Sequence, residues 1–188
     1  VTDSLEQYHL LDRKLPDVTN ANCWAHARRA FADAVKAADK KDPQAVKSSV
    51  AYRALQKIAE FYSIDTGLKE LPKEERLKQR QEKIQPMVEE FFAWVKQQVS
   101  EYAVPPKSKT GQGLNFIINQ EKYLKVFLTD GDVPIDNSAS ERAIRTFCVG
   151  KKNWMFHNTA RGAEASALVY SISETAKLNN LRPYYYFR

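Results

Sequence analysis

Cysteine is nearly absent from the 188 residues: only Cys23 and Cys148 occur. Two cysteines in a chain of this size do not make a disulfide framework, and a reducing cytoplasm is the expectation. No stretch approaches the roughly 18 apolar residues that a membrane span needs, and mean hydropathy is −0.56. The start, Val1-Thr-Asp-Ser4, carries neither the basic region nor the apolar core of a secretory signal. It also lacks a Met, so a processed or excised piece of a longer protein is expected. No internal repeat and no low-complexity tract is present.

What is there is globular. Hydrophobic residues make up 43% and charged residues 28%, which excludes wholesale disorder and fibrous structure. The length suits one domain, or one domain carrying an insertion, with a core that needs no staples. Lys plus Arg is 29 against Asp plus Glu 23, a net charge of +6. That excess is compatible with a polyanionic partner and equally with an ordinary soluble surface.

Periodicity predicts helices for most of the chain. The first stretch, to Cys23, is short and mixed, with Asp17 to Cys23 suited to a brief strand around Val18 and Thr19. From Trp24, apolar residues at Ala27, Phe31, Ala34, Val35 and Ala38 recur at steps of three and four, up to a break at Asp42-Pro43. A second helix presents Leu55, Ile58, Ala59 and Tyr62. A third carries Ile84, Met87, Val88, Phe91, Phe92, Val95, Val99 and Tyr102, with Pro86 kinking it or setting its start. Two short helices follow, at Leu114 to Ile118 and Leu124 to Leu128. After the turn at Asp130-Gly131-Asp132 come a helix with Ala139, Ala143, Ile144 and Phe147 on its buried face, a loop or extended segment from Gly150 to Phe156, and a last helix from about Gly162 to Leu178 carrying Ala165, Leu168, Val169, Ile172 and Ala176.

Three constellations can carry chemistry. Ser138 and Glu141 have the spacing of a helix capping box, and Glu141 equally suits a metal-binding carboxylate projecting from a first turn. Arg142 and Arg145 lie within a turn of it, placed for bidentate phosphate contacts or for surface ion pairs. Lys151, Lys152 and Trp154 would hold a DNA backbone and stack on an unpaired base, or form a solvated basic turn around a half-buried indole. Cys23 and His26 would supply half a zinc site, but no other half is recognisable, and packing of Cys23 and Trp24 accounts for them with Arg28 and Arg29 solvated or on phosphate.

In order along the chain stand a Thr-Asp near the start, Cys23-Trp-Ala-His-Ala-Arg-Arg-Ala-Phe31, Ile58-Ala-x-x-Tyr-x-Ile-Asp65, Glu75-Arg-Leu-Lys-Gln-Arg80, Pro106-Lys-Ser108, Asp130-Gly131 and Ile135-Asp-Asn137. Then follow Ser140-Glu-Arg-Ala-Ile-Arg145, Gly150-Lys-Lys-Asn-Trp-Met-Phe156, Glu174 to Asn180 and Pro183-Tyr-Tyr-Tyr186. In this order they resemble the transposases of the bacterial insertion sequence 66 family, over nearly the whole chain. Two positions depart mildly from the family pattern: Ser138 stands where a second Asn is usual, and Lys151 where an Arg is usual.

The resemblance implies a ribonuclease H-like catalytic core with an Asp, Asp, Glu triad, in which Asp3 matches the second Asp and Glu141 the Glu. The fold so implied is mainly α: an incomplete ribonuclease H-like α/β core at 1–23 and 131–188, its first strands missing, with a large all-helical insertion at 24–130. The first Asp would lie upstream, so this segment by itself is expected to be inactive. The intact parent would cut and join DNA by phosphoryl transfer, using Mg²⁺ or Mn²⁺ held by Asp3, Glu141 and the missing Asp. DNA at the element ends and at the target is the implied partner, contacted by Arg28, Arg29, Arg142, Arg145, Lys151, Lys152 and Trp154. A homo-oligomer of the intact transposase is compatible with this, and no membrane is involved. The alternative is a non-catalytic helical module that binds DNA or protein through its basic face.

Overall fold

The computed structural model describes residues 1–38, 42–101, 104–154 and 156–188, without the side chains of Asn153 and Trp154. Tyr102 and Met155, both named in the sequence patterns, lie outside the described residues. The chain divides into two compact units, Val1–Asn137 and Ser138–Arg188. Among the described residues it is helical, with one isolated β-bridge, and no helix is long and apolar enough to cross a membrane.

Unit 1 opens with the residue pair that makes the bridge. Thr2 and Asn22 pair in parallel, and α1 (Glu6–Lys14) is the crossover between them. Parallel pairing needs a crossover connection, and a helix is the usual one. The expected strand at 17–23 is thus reduced to a single bridge residue. The first stretch, read as mixed, holds a nine-residue helix. Helices α2 (Trp24–Ala27) and α3 (Arg29–Ala37) follow, then α4 (Pro43–Ser48) and α5 (Val50–Gly67). Asp42 and Ser49 cap α4 and α5 by accepting from the Ala45 and Tyr52 N–H groups. Asp42-Pro43, expected as a break, therefore also starts the next helix, with Pro43 in its first turn.

The longest run is α6 (Lys73–Gln79), a π-turn at Arg80–Ile84 and α7 (Gln85–Ser100). Pro86 has no N–H for the carbonyl four residues back, and the Gln85 N–H reaches five residues back to the Arg80 carbonyl. Pro86 thus acts through a widened turn. Then come α8 (Lys109–Asn119), α9 (Glu121–Leu124) and a 3₁₀ turn at Val126–Leu128. The core gathers the apolar faces of α2, α3, α5, α7 and α8. Trp24 is wholly buried. Its ring meets Phe61, Phe91, Phe92 and Phe127 at 4.8–6.4 Å, three of them edge-on, and its indole N–H donates to the Leu124 carbonyl at 2.8 Å. On α5 the buried positions are Ala51, Ala54, Ile58, Phe61 and Asp65. Ala59, expected inside, faces solvent.

Unit 2 consists of α10 (Ser138–Trp154), α11 (Ala160–Leu178) and α12 (Pro183–Phe187). Thr159 caps α11 by accepting the Gly162 N–H, and Asn180, at φ 58°, ends it in the left-handed conformation common after helices. Phe147 of α10 packs edge-on against Tyr170 of α11 at 5.4 Å. Two expectations are corrected here. The part of the expected loop from Gly150 to Trp154 is helical: α10 continues through Trp154, because one Gly costs a helix only about 1 kcal/mol relative to Ala. The apolar face of α10 read as buried is largely exposed, with Ile144 57% accessible, and the apolar residues that α11 carries are exposed too, Leu168 62% and Val169 53%. Ala143 and Ala165 are exposed as well, and Ala176 is the buried residue of α11.

Candidate functional site

Asp3 sits directly after the bridge residue. The Thr2 N–H donates to the Ala21 carbonyl and the Cys23 N–H to the Thr2 carbonyl, at 2.8 and 2.9 Å. A buried polar network fixes both segments of this bridge. The Thr2 hydroxyl donates to Asn20 Oδ1 (2.9 Å). Asn22 Oδ1 accepts from Asn20 Nδ2 (3.2 Å) and lies 3.3 Å from His9 Nε2. Asn22 Nδ2 donates to Gln120 Oε1 (2.9 Å). His9, buried although polar, stacks on Tyr123 with ring centroids 4.2 Å apart. Asp12 of α1 accepts the Asn20 N–H at 3.1 Å, and that hydrogen bond, with Lys122, holds its carboxyl below the ordinary carboxylate value. The chain then turns at Ser4, whose φ of 71° is uncommon for any residue but Gly.

The strap from Phe127 to Asn137 is the second wall. Arg80 anchors its start. The guanidinium is buried, pairs with Asp65 at 2.7 Å and donates to the carbonyls of Phe127 (3.0 Å) and Val133 (2.8 Å). Arg76 donates to the carbonyls of Gly131, Leu68, Lys69 and Leu71. Gly131 lies so close to the chain at Lys73 that an added Cβ would stand 2.1 Å from the Lys73 carbonyl oxygen. The end of the strap is tied to the segment beside Asp3: the Trp24 N–H donates to the Ile135 carbonyl at 3.2 Å, and the Asn137 N–H to Cys23 Sγ at 3.5 Å. The Tyr62 hydroxyl donates to Asp136 Oδ2 at 3.1 Å. Burial, then the Asp136 charge, pushes the Tyr62 phenol far above its ordinary value, and burial raises the Cys23 thiol, so neither is a ready nucleophile or base.

The predicted site residues divide between the units. In unit 1, Asp3 is half-buried, and its Oδ1 is enclosed with no hydrogen-bond partner among the described residues. Arg28 and Arg29 are exposed at the α2–α3 junction. Arg29 lines a cleft of about 280 Å³ with His26, Asp33, Lys109 and Gln112. Cys23 and Trp24 are core residues.

In unit 2, Glu141 stands exposed in the first turn of α10, beside exposed Arg142 and Arg145. Lys151 and Lys152 are exposed in its last turn. Steps of four and seven put Glu141, Arg145 and Lys152 along one face of the helix. Lys151 lines a separate cleft with Phe147, Phe156, His157 and Thr159.

Among the described residues, no three His, Cys, Asp or Glu side chains are grouped to hold a metal ion. The donor chemistry at Asp3 nevertheless fits a hard cation: it is an enclosed carboxylate oxygen without a hydrogen-bond partner among the described residues. Sequence reasoning missed Tyr62, Arg80 and Asn137 as supports of this region, and Lys109 beside Arg29. Their contacts join positions from 15 to 114 residues apart, beyond the reach of local patterns.

Comparison with known proteins assigns the family. The relatives are uncharacterized proteins of Sinorhizobium fredii (strain NBRC 101917 / NGR234). The protein y4hP is 32% identical over 174 residues, covering 90% of this chain and 31% of the relative. The protein y4qI is 29% identical over 163 residues, 87% of this chain and 28% of the relative. The protein y4jD is 28% identical over 164 residues, again 87% of this chain and 30% of the relative. The chain thus spans less than a third of the length of these relatives. No solved structure matches. The family model "Transposase IS66 family" matches residues 1–165, a span that takes in the Asp3 bridge, the strap and all of α10, and the chain therefore belongs to the IS66 transposase family.

Proposed function

We propose that this chain is part of the catalytic region of a transposase that cuts and joins DNA strands by divalent-metal phosphoryl transfer. Asp3 and Glu141 are two of its three metal-holding carboxylates. The single observation that carries this reading is the enclosed Asp3 oxygen, without a hydrogen-bond partner among the described residues, at the end of a parallel bridge pinned on both sides. In this reading 1–23 and 131–188 belong to a ribonuclease H-like core, 24–130 is an all-helical insertion, and the remaining carboxylate comes from upstream in a protein of the relatives' length. The helix crossover between Thr2 and Asn22 supports the α/β character of that core.

When bound, Mg²⁺ or Mn²⁺ lowers the pKa of the attacking oxygen and stabilises the leaving one. Asp3 and Glu141 provide fixed negative oxygen donors for it. Arg142 and Arg145 flank Glu141 and take backbone phosphate oxygens bidentately. Lys152, on the face of Arg145, and Lys151 extend that contact by two turns, and Trp154 stacks on an unpaired base. Arg28 and Arg29 give unit 1 a phosphate contact of its own. Neither buried Cys23 nor half-buried Tyr62 takes part as a nucleophile. The segment alone, lacking one carboxylate, does not cleave DNA, and the intact protein acts on DNA in the cytoplasm.

DNA binding by this chain is expected to be weak, indifferent to sequence and steep in salt. Four phosphate contacts from α10 give a slope of log affinity against log salt of about −3.6, hence a loss of about 150-fold between 50 and 200 mM salt. Fluorescence anisotropy with a labelled duplex measures this. Replacing Lys151 and Lys152 by Ala should flatten the slope by about 1.8. Sequence-selective binding that survives high salt, or a slope unmoved by the double change, would contradict the assignment.

A further inference from the structure

We infer that the side-chain amide of Asn137 is an oxygen ligand of the cation held by Asp3, with the Ser4 hydroxyl as a further donor beside them. The inference rests on the reading of Asp3 as a metal carboxylate. Three side-chain oxygens at this end of unit 1 are enclosed without a hydrogen-bond partner among the described residues: Asp3 Oδ1, Ser4 Oγ and Asn137 Oδ1. The other such oxygen in unit 1, Gln79 Oε1, belongs to the α6 segment, where the Gln79 amide nitrogen donates to Glu75.

The two segments that carry the three oxygens are fixed to the same pair of residues. Cys23 donates its N–H to Thr2, and Trp24 donates its N–H to Ile135. The Asn137 N–H is engaged by Cys23 Sγ, so the backbone of Asn137 is held while its amide oxygen is left over. Ser4 adopts its uncommon left-handed backbone at the same place. Such a conformation in a non-Gly residue persists only where its surroundings enforce it, and it concentrates at ligand sites.

Enclosed oxygens of this kind are costly unless something satisfies them. A bridging water donates only two hydrogen bonds, and it leaves the carboxylate charge uncompensated. No ion pair to Asp3 is formed among the described residues, whereas buried carboxylates elsewhere in proteins are paired or bind a metal. A carboxylate, an amide carbonyl and a hydroxyl are all hard donors, the set that Mg²⁺, Mn²⁺ and Ca²⁺ take. Asn137 lies four residues before Glu141 in sequence, so in this assignment the strap contributes to the same cation through its last residue.

The test is calorimetric titration of the 188-residue chain with Mn²⁺, compared with Asn137→Ala, Asn137→Asp and Asp3→Asn. Each variant is checked for unchanged helicity and urea unfolding. Asn137→Ala should weaken Mn²⁺ by at least the roughly tenfold that losing even an outer-shell partner costs. Asn137→Asp should restore or exceed wild-type affinity, which a merely structural role for the amide would not produce. Asp3→Asn should abolish the binding. If Asp3→Asn abolishes binding while both Asn137 variants bind like wild type, Asn137 is not a ligand and the Asp3 reading stands. If the chain binds no Mn²⁺ at millimolar concentration, or Asp3→Asn leaves binding unchanged, both fall.

Discussion

Glu141→Gln, made in a protein of the relatives' length that contains this segment, is expected to reduce DNA strand cleavage by about a thousandfold. That is the rate equivalent of losing roughly 4 kcal/mol of metal-ion stabilisation in the transition state. Gln keeps the size and helix propensity of Glu and removes only the charge. Glu141 is exposed in the first turn of α10, so the change should leave the unfolding free energy measured in urea within about 0.5 kcal/mol of wild type. Asp3→Asn should give a loss of the same order. The double variant should be little worse than either single one, because carboxylates that hold one metal centre act as a unit. A gel assay of strand cleavage in Mg²⁺ reads all three. Cleavage retained within tenfold by either single variant would remove that residue from the site.

Arg80→Met is expected to destabilise the chain by about 3–5 kcal/mol, measured by urea unfolding, because breaking a buried pair leaves its partner charged and uncompensated. Arg80 and Asp65 are both buried, with side chains 3% and 5% accessible, and the guanidinium also satisfies carbonyls along the strap. Arg80→Lys should recover little of this. An ammonium cannot fork between a carboxylate on α5 and carbonyls at Phe127 and Val133. Removing both charges with Arg80→Met and Asp65→Leu should recover part of the loss, and the remainder reports the strap carbonyls left without donors. A single-variant cost below about 1 kcal/mol would mean that the strap is held by something other than Arg80.

The helical block was the legible part of the sequence. Ile84, Val88, Phe91, Phe92 and Val95 recur at helical spacing and are all buried, as are Leu114, Ile117, Leu124 and Phe127. The pattern failed where side chains are small or where packing is polar. On α5, Ala51 and Ala54 turn inward and Ala59 does not, a choice that alanine spacing alone leaves open. Helix α1 has no apolar stripe directed to the core; its buried residue is His9, held by Asn22 and by stacking on Tyr123. On α10 and α11 the period correctly marks helices, but an apolar face does not say whether anything covers it, and Ile144, Leu168 and Val169 remain exposed.

The candidate site was legible only in part, for a related reason. Asp3 has no local signature, and it was singled out by resemblance alone. Its buried oxygen, the Ser4 backbone and the leftover amide oxygen of Asn137 depend on contacts between 2–4, 20–24 and 135–137 that no window of the sequence contains. Glu141 stands in a capping-box spacing that many helices share, so its residue type and position alone could not separate a cap from a ligand.

Paramagnetic broadening by Mn²⁺ in the amide spectrum of the ¹⁵N-labelled chain tests most directly whether Asp3 and Glu141 share one cation. At substoichiometric Mn²⁺, the resonances of Asp3, Ser4 and Asn137 should broaden together with those of Glu141 and Arg142, and Asp3→Asn should abolish both effects at once. Broadening confined to one of the two segments, or spread over the acidic surface and insensitive to Asp3→Asn, would contradict a shared metal centre.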